Sequence, residues 1–530
     1  MKLRNVLRAI TVTIGTGLAV ALAGPAWAQS GDKSVTLKSF DGFTQLRGNL
    51  IEFDGGTYTI ETILGVIDVD ALQVTCEGAA CPEDILFGAE FGIYGSSTIG
   101  EQLMPALILG YADSMDADVV TEVGQSANSR MMRVVNAEGR EMAAIDLKST
   151  GSDAAYPALG NKAAEIGMSA RRASDRDAAT LRQGGIPELR DTENEHILAL
   201  DGLVVLTHPS NPIPSISIEE LALIFSGEVS NWSQIGGQDA PITLYALEDA
   251  LGTFQTFSSL VLAPYDLSLA RGAKRYRSNI RLSDAVATDR NGIGVTGIAF
   301  QRAAKALPIR QECGILSYPT TFAMKTEEYP LSRRLYLYTP PTKIAAHARR
   351  IVDFAMSDAA QPLIAEAGFI DQNVEAISMN QEGARLIHAL VGEEELQLPL
   401  LQTMLRELRE AERLSITFRF TPGSSNLTPK SQLDAQRLAR DLVNEKYAGK
   451  ELILVGFTDG VGQFAVNQGL SVRRANVVLQ QLQASVPPGA LQGLPITVQG
   501  YGELMPVGCN TSFEGRTVNR RVEVWLRNAG

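Results

Sequence analysis

The sequence predicts a multidomain chain with a small all-β part, a long α/β part built in lobes, and a terminal α/β sandwich. Three observations predict it. Residues 33–82 are short alternating segments broken by glycines, residues 85–375 alternate strand-like with helical stretches, and residues 413–530 run strand, helix, strand, helix, strand, strand. A chain of 530 residues has room for about three or four domains of ordinary size.

The chain opens on a targeting pattern. Lys2, Arg4 and Arg8 precede the apolar run AITVTIGTGLAVALAGPAWA, and Ala26-Trp27-Ala28 fits an A-x-A cleavage site. Residues 1–28 therefore read as a signal peptide, and the mature chain as exported. No later run reaches the roughly 18 apolar residues of a membrane span, so no transmembrane segment is expected in the mature chain. No cysteine stands at the cleavage point to carry a lipid.

Residues 33–84 read as a small β-barrel or β-sandwich. TYTIETI and VIDVDALQV alternate as half-buried antiparallel strands do, and Asp54-Gly55-Gly56 is a hairpin signal. Cys76 and Cys81, in TCEGAACP, are close enough for a local disulfide in an oxidising compartment, which would help so small a unit hold together. Cys313 and Cys509 either pair across domains or stay buried and reduced.

Residues 85–375 carry strand candidates FGIYG, DADVVTEVG, AAEIGMS, DGLVVLTH, PITLYAL and GIGVTGIAF. Helical spacing marks EQLMPALILGYADSM, SIEELALIFSG and AHARRIVDFAMSDAAQPLIAEAG. Such alternation predicts mainly parallel sheets. Within it, Gly95-Ser96-Ser97-Thr98-Ile99-Gly100 and Ser149-Thr150-Gly151-Ser152 each precede a helical stretch, where free N–H groups favour an anion. Gly167-Met168-Ser169-Ala170-Arg171-Arg172 adds cations. Ordinary helix caps give the same pattern.

The charge of −13 deepens by three once Lys2, Arg4 and Arg8 are removed. That balance argues against nucleic acid or an anionic membrane as a general partner. His196, His208, His347 and His388 show no metal spacing, and no nucleophile elbow or Walker loop is present. Gly292-Ile293-Gly294-Val295-Thr296-Gly297 matches G-x-G-x-x-G in letters. It has a helix before it and a strand after it, the reverse of a dinucleotide fingerprint. Glu219 and Glu220 fall on a helix surface. The expectation is a binding protein with no catalytic residues, no metal and no cofactor.

Residues 376–412 read as a helical linker, with EEELQLPLLQTMLRELREAERL as its helix. Beyond it, strand ELILVGF ends at Thr458-Asp459-Gly460, and a helix spans Asn467–Leu482. At 100° per residue, Val466, Leu470, Val477 and Val478 share one helix face, with Asn467 and Arg474 in its middle. A cation there needs a partner. It either forms a structural salt bridge with Asp459, or the two flank a pocket and hold the opposite charges of a zwitterion.

The runs GFTDGVGQFAVNQGLSVRRANVV, GYGELMP and NTSFEGRTVNRRVEVWL resemble the OmpA C-terminal family of peptidoglycan-binding domains over residues 413–530. The resemblance implies a site for the diaminopimelate of the wall's stem peptide. Asp459 would meet its ammonium and Arg474 its carboxylate, with Thr458, Asn467, Arg516, Asn519 and Arg520 also carried over. This chain departs from the family at Phe420-Thr421, where Phe-Asp is common, and at Phe457, where histidine is frequent.

The run HILALDGLVVLTHPSNPIPSISIEELALIFSGEVSNWSQIGGQDAPITLYALED resembles the phosphate-type, PstS-like periplasmic solute-binding proteins over residues 85–375. It implies a two-lobed type II periplasmic-binding fold closing on phosphate or another small anion. The contacting positions would be Ser97, Thr98, Ser149, Gly151, Ser152, Ser169, Arg171, Gly252 and Thr253. Leu247 and Leu251 stand where that family has an arginine and a serine. The two resemblances together imply a periplasmic, wall-tethered binding protein of a Gram-negative envelope, associated with the outer membrane. The alternative is a structural envelope protein whose PstS-like lobes hold a protein partner.

Overall fold

The structure is a computed structural model. It describes residues 33–39, 45–53, 57–71, 74–82, 88–124, 128–191, 193–249, 251–342, 344–383, 385–387, 397–421, 424 and 426–529. The signal peptide, the Asp54-Gly55-Gly56 turn, His388 and the acidic start of the linker lie outside these residues. The chain divides into two compact units. One comprises residues 1–92, 112–147 and 343–353, and the other residues 93–111, 148–342 and 354–530.

In the first unit, Ser34–Ser39, Gln45–Phe53, Thr57–Thr62, Gly65–Asp70 and Val74–Glu77 make one antiparallel sheet. This is a single sheet rather than the barrel or two-sheet sandwich expected. Its strands bury one side only: Val35, Leu37, Tyr58, Ile60 and Val69 form the core, while Gln45–Phe53 stays largely exposed. The Cys76–Cys81 disulfide forms and both cysteines pack against that core. Elsewhere in this unit Ser129–Val135 lies between Asp118–Val123 and residues 141–147.

Among the described residues the second unit holds two large sheets and a two-stranded one, Ile309–Arg310 with Leu316–Ser317. In the first, Lys274–Tyr276, Thr243–Leu247, Gly292–Gly297, Glu195–Thr207, Ser332–Tyr338, Ile166–Ser169 and the Ile93–Gly95 end of Ala89–Gly95 lie side by side in that order. The sheet is mixed, not mainly parallel. Thr243–Leu247 is parallel to both its neighbours, and Ile166–Ser169 is parallel to the Ile93–Gly95 segment. The two central strands, Glu195–Thr207 and Ser332–Tyr338, run antiparallel to each other and to their outer neighbours. Strand–helix alternation detects crossovers, but it is blind to long strands that return without a helix. Helix Ile218–Ser226 starts at a capping box of Ser217 and Glu220, and Glu220 also pairs with Arg310, which accounts for that carboxylate. Gly292–Gly297 is a buried strand, as its flanks implied.

The second sheet runs Ala376–Ser378, Glu412–Arg419, Arg521–Asn528, Lys450–Gly456, Ile496–Gly500. Alternation along Lys450–Gly456 sends Leu452 and Leu454 to one side, against helices Pro429–Val443 and Phe464–Ala484. Ile453 and Val455 go to the other, where Leu401, Met404 and Leu408 of helix Leu398–Leu408 cover them. The stretch read as a linker thus supplies an edge strand and a third layer. Pro399 starts its helix rather than interrupting it, because the first helical turn needs no proline N–H.

Buried charge ties this sheet to residues far upstream. Arg413, wholly buried, pairs with Glu328, with Glu382 at 3.1 Å and with Glu523 at 3.2 Å. Arg385 and Arg521 each reach Glu523 at 2.7 Å, and Trp525 donates its indole N–H to that carboxylate at 3.0 Å. Arg419 donates to the carbonyl of Thr326 at 2.6 Å. Cys313 and Cys509 form a disulfide beside this junction.

Burial alone would raise the Glu327 carboxyl, yet Arg334 beside it holds it down at about 2 against an ordinary 4.5. Glu328 and Glu523 are burdened by burial in the same way and lowered by Arg413 and Arg385. A depressed carboxylate contributes stability above its unfolded value and loses it as pH falls toward its folded value. The melting temperature should therefore hold down to about pH 4.5 and then fall steadily toward about pH 2. Glu327→Gln should lower the plateau and flatten that descent, as followed by circular dichroism.

Candidate functional site

Strand Lys450–Gly456 delivers Thr458 and Asp459 to its carboxyl end, and helix Phe464–Ala484 packs back across the sheet. Two glycines let it come close. A Cβ on Gly456 would lie 2.0 Å from the Ser471 carbonyl oxygen, and one on Gly500 would lie 2.5 Å from Ser471 Oγ. That contact selects small residues, so the buried face is Asn467, Ser471, Ala475, Val478 and Leu482. Of the face expected from Val466, Leu470, Val477 and Val478, Val478 is buried and Val477 packs against the core, Leu470 is half-buried, and Val466 is 58% exposed. Arg474 accordingly flanks the core face and is half-buried.

Arg474 and Asp459 are not locked together. Asp459 Oδ2 takes Nη1 of Arg520 at 2.8 Å, and Oδ1 takes the backbone N–H of Val461 at 3.2 Å. The Arg474 guanidinium lies 5.5 Å from the Phe420 ring, and its Nη1 is buried with no hydrogen-bond partner among the described residues. Burial pulls its pKa down. Arg520 and Arg473 push the same way, and only the Asp459 charge opposes them. The Thr458 hydroxyl is likewise buried and unpartnered among the described residues.

The remaining predicted residues shape this loop. Asn467 donates to the carbonyls of Asp459 and Val461 at 3.3 and 3.2 Å and to Glu503. Asn519, fully buried, accepts from Val507 and Gly508 at 2.9 and 3.0 Å and donates to Asn510 at 2.8 Å. Asn510 in turn accepts from the N–H of Gly460 at 3.0 Å. Arg516 donates to the Asn510 and Thr511 carbonyls. Asn519 and Arg516 thus hold the loop that holds Gly460, whereas Arg520 touches Asp459 itself. Glu503 and Asn510 fall inside the runs GYGELMP and NTSFEGRTVNRRVEVWL but are not among the predicted site residues, because each is a single loop residue placed by backbone geometry.

The predicted anion positions divide between two cavities. Ser97, Thr98, Gly252 and Thr253 line one of about 140 Å³. Ser152, Arg171 and Gly252 line another of about 490 Å³, together with Arg172, Arg333 and Arg334. Ser149, Gly151 and Ser169 line neither. Ser149 lies under Gly100, where a Cβ would meet its Oγ at 2.2 Å. Gly151 has φ 109° and donates to the Gly95 carbonyl. Ser169 pairs with Tyr156 and donates to the Arg171 carbonyl at 2.7 Å, and Ser152 accepts the Ala170 N–H at 2.9 Å. Arg171 is paired with Asp153 and Asp177. Leu247 is buried in the apolar core, and Leu251 packs against it. Among the described residues no three His, Cys, Asp or Glu side chains gather as a metal site.

Known proteins bear on both sites. Residues 111–359 match the PBP superfamily domain and residues 419–520 match the OmpA family. The chain carries a PstS-like periplasmic-binding domain followed by an OmpA domain. It is 26% identical to the phosphate-binding protein PstS of Borreliella burgdorferi over 235 residues, 43% of this chain and 79% of that protein. It is 37% identical to outer membrane porin F of Pseudomonas aeruginosa over 114 residues, 22% of this chain. That match spans 31% of the porin, less than a third of its length. A solved structure, an ABC-type phosphate transport receptor from Vibrio cholerae, superposes with a TM-score of 0.41 at 22% identity, over 53% of this chain and 99% of the receptor.

The two kinds of site residue should separate by stability. Asn519→Ala strands buried N–H groups and should cost about 2–3 kcal/mol. Arg474→Met removes an unsatisfied buried cation and should leave stability unchanged or raise it by up to about 1 kcal/mol. Urea melts of the full chain read both.

Proposed function

We propose that the protein is a non-catalytic periplasmic binding protein of a Gram-negative envelope, tethered to peptidoglycan through its OmpA domain. The observation that carries this reading is the buried, unpartnered Nη1 of Arg474 within the field of Asp459. A guanidinium kept partly desolvated without a partner is poised for a carboxylate that comes from outside. Asp459, with Oδ2 engaged by Arg520 and Oδ1 accepting only the Val461 N–H at 3.2 Å, keeps lone-pair capacity on Oδ1 for an ammonium. A zwitterionic carbon bearing both charges fits this pair, and the diaminopimelate end of a stem peptide has that chemistry.

Arg474→Ala and Asp459→Ala should each weaken co-sedimentation with purified sacculi. Each removes a charged hydrogen bond worth about 1.5–3 kcal/mol, which is about tenfold or more in affinity. Unchanged pelleting of folded variants would overturn the tether.

For the PstS-like domain, the first reading is a cleft for a small anion, phosphate or another. It is supported by Ser97, Thr98, Gly252 and Thr253 meeting at one cavity and by the arginines of the other. The second reading, lobes that hold a protein partner, is favoured by one observation. Ser152, Ser169 and Arg171 are already bonded within the chain. Calorimetric titration of the full chain with inorganic oxyanions separates them: saturable heat supports the first reading, and silence across the panel supports the second.

A further inference from the structure

Strand Ser332–Tyr338 reads SRRLYLY. Period-two alternation puts Arg333 on the face of Leu335 and Leu337, both fully buried. This arginine, like Arg474, is set among apolar neighbours by the periodicity of its element, and its fate differs from that of Arg474. In the antiparallel register Arg333 stands directly opposite Asp201. Asp201 Oδ2 accepts Arg333 Nε at 3.0 Å and Nη2 at 2.7 Å. The side chains are 7% and 5% exposed.

The rest of the guanidinium spans two turns. Nη1 donates to the Gly252 carbonyl at 3.0 Å, and Nη2 donates to Thr98 Oγ1 at 3.3 Å. These turns touch, because a Cβ on Gly252 would lie 1.9 Å from Thr98 Oγ1. Gly252 lines both cavities of the cleft, Asp201 and Thr98 line the smaller, and Arg333 lines the larger. The bridge therefore stands where the two cavities adjoin, on residues to which the resemblance assigns anion binding.

We propose that the Asp201–Arg333 pair is an internal latch. It joins the Thr98 and Gly252 turns without any ligand, and it turns a fixed carboxylate toward the smaller cavity. The inference uses the cleft reading above for the location of the site only. Two consequences follow from the chemistry. With Nε, Nη1 and Nη2 each holding an acceptor within the chain, Arg333 has one Nη1 hydrogen left to offer an anion in place of the cation absent at Leu247. Latched turns also need no ligand to stay together, whereas a receptor that closes on its ligand does.

The test measures a distance in the full chain. Spin labels go on Arg176→Cys, in helix Asp175–Gln183 on the Thr98 side, and on Arg281→Cys, in helix Asn279–Thr288 on the Gly252 side. The labelled protein should show one narrow distance distribution, identical with and without millimolar inorganic phosphate. Thr98→Val removes one strand of the bridge and should broaden it. The double variant Asp201→Asn/Arg333→Gln leaves a neutral amide pair, which avoids a stranded buried charge, and should broaden it further. A phosphate-dependent shift in the parent, or unchanged distributions in both variants, would overturn the latch. Sacculus binding should be untouched in every variant, so failure here is distinguishable from failure of the wall tether.

Discussion

The second unit is organised around one carboxylate. Glu523 is wholly buried and receives Arg385, Arg413 and Arg521, while Trp525 closes its other oxygen. Such a charge is tolerable in a protein interior only when every lone pair is answered. The three arginines come from the segment between the terminal sheet's first two strands, from its second strand and from the last strand in the chain, so satisfying Glu523 fixes all three segments. Arg413 then extends to Glu328, which brings the PstS-like part into the same network. The Cys313–Cys509 disulfide and the contact of Arg419 with Thr326 reinforce the junction. The OmpA domain therefore folds as part of one unit with the residues upstream of it.

Phe457 belongs to this network. The Arg521 guanidinium lies 4.2 Å and that of Arg385 5.5 Å from its ring centroid. A phenyl face attracts cations, whereas an imidazole there would face guanidiniums and lose its own charge. A phenylalanine where the resemblance leads one to expect histidine thus fits the charge network around it. Phe457 also immediately precedes Thr458 and Asp459, so the same packing that answers Glu523 anchors the start of the binding loop.

Arg333 and Arg474 show how one residue type reaches two ends. Both are drawn into apolar surroundings by the periodicity of their element. Arg333 lies opposite an aspartate in strand register and is saturated from within the chain. Arg474 faces an aspartate that another arginine already holds, and so it keeps an unanswered N–H. The first bridges the Thr98 and Gly252 turns, and the second keeps its Nη1 without a partner among the described residues. Burial alone does not distinguish them; the hydrogen-bond ledger does.

Local pattern determined much of this protein. Alternation and helical spacing located most strands and helices, the motif runs located Asp459, Arg474 and the turns at Thr98 and Gly252, and the short spacing of Cys76 and Cys81 pointed to their disulfide. Tertiary structure alone decided the rest. Helix Phe464–Ala484 turned its small residues inward because Gly456 and Gly500 lie on strands far apart in sequence. Cys313 found Cys509 across 196 positions, and Arg333 found Asp201 across 132. Asp459 went to Arg520, which no periodicity relates to it. Sequence patterns report the geometry within one element. Which charge answers which depends on how separate elements pack, and that choice exists only in the folded chain.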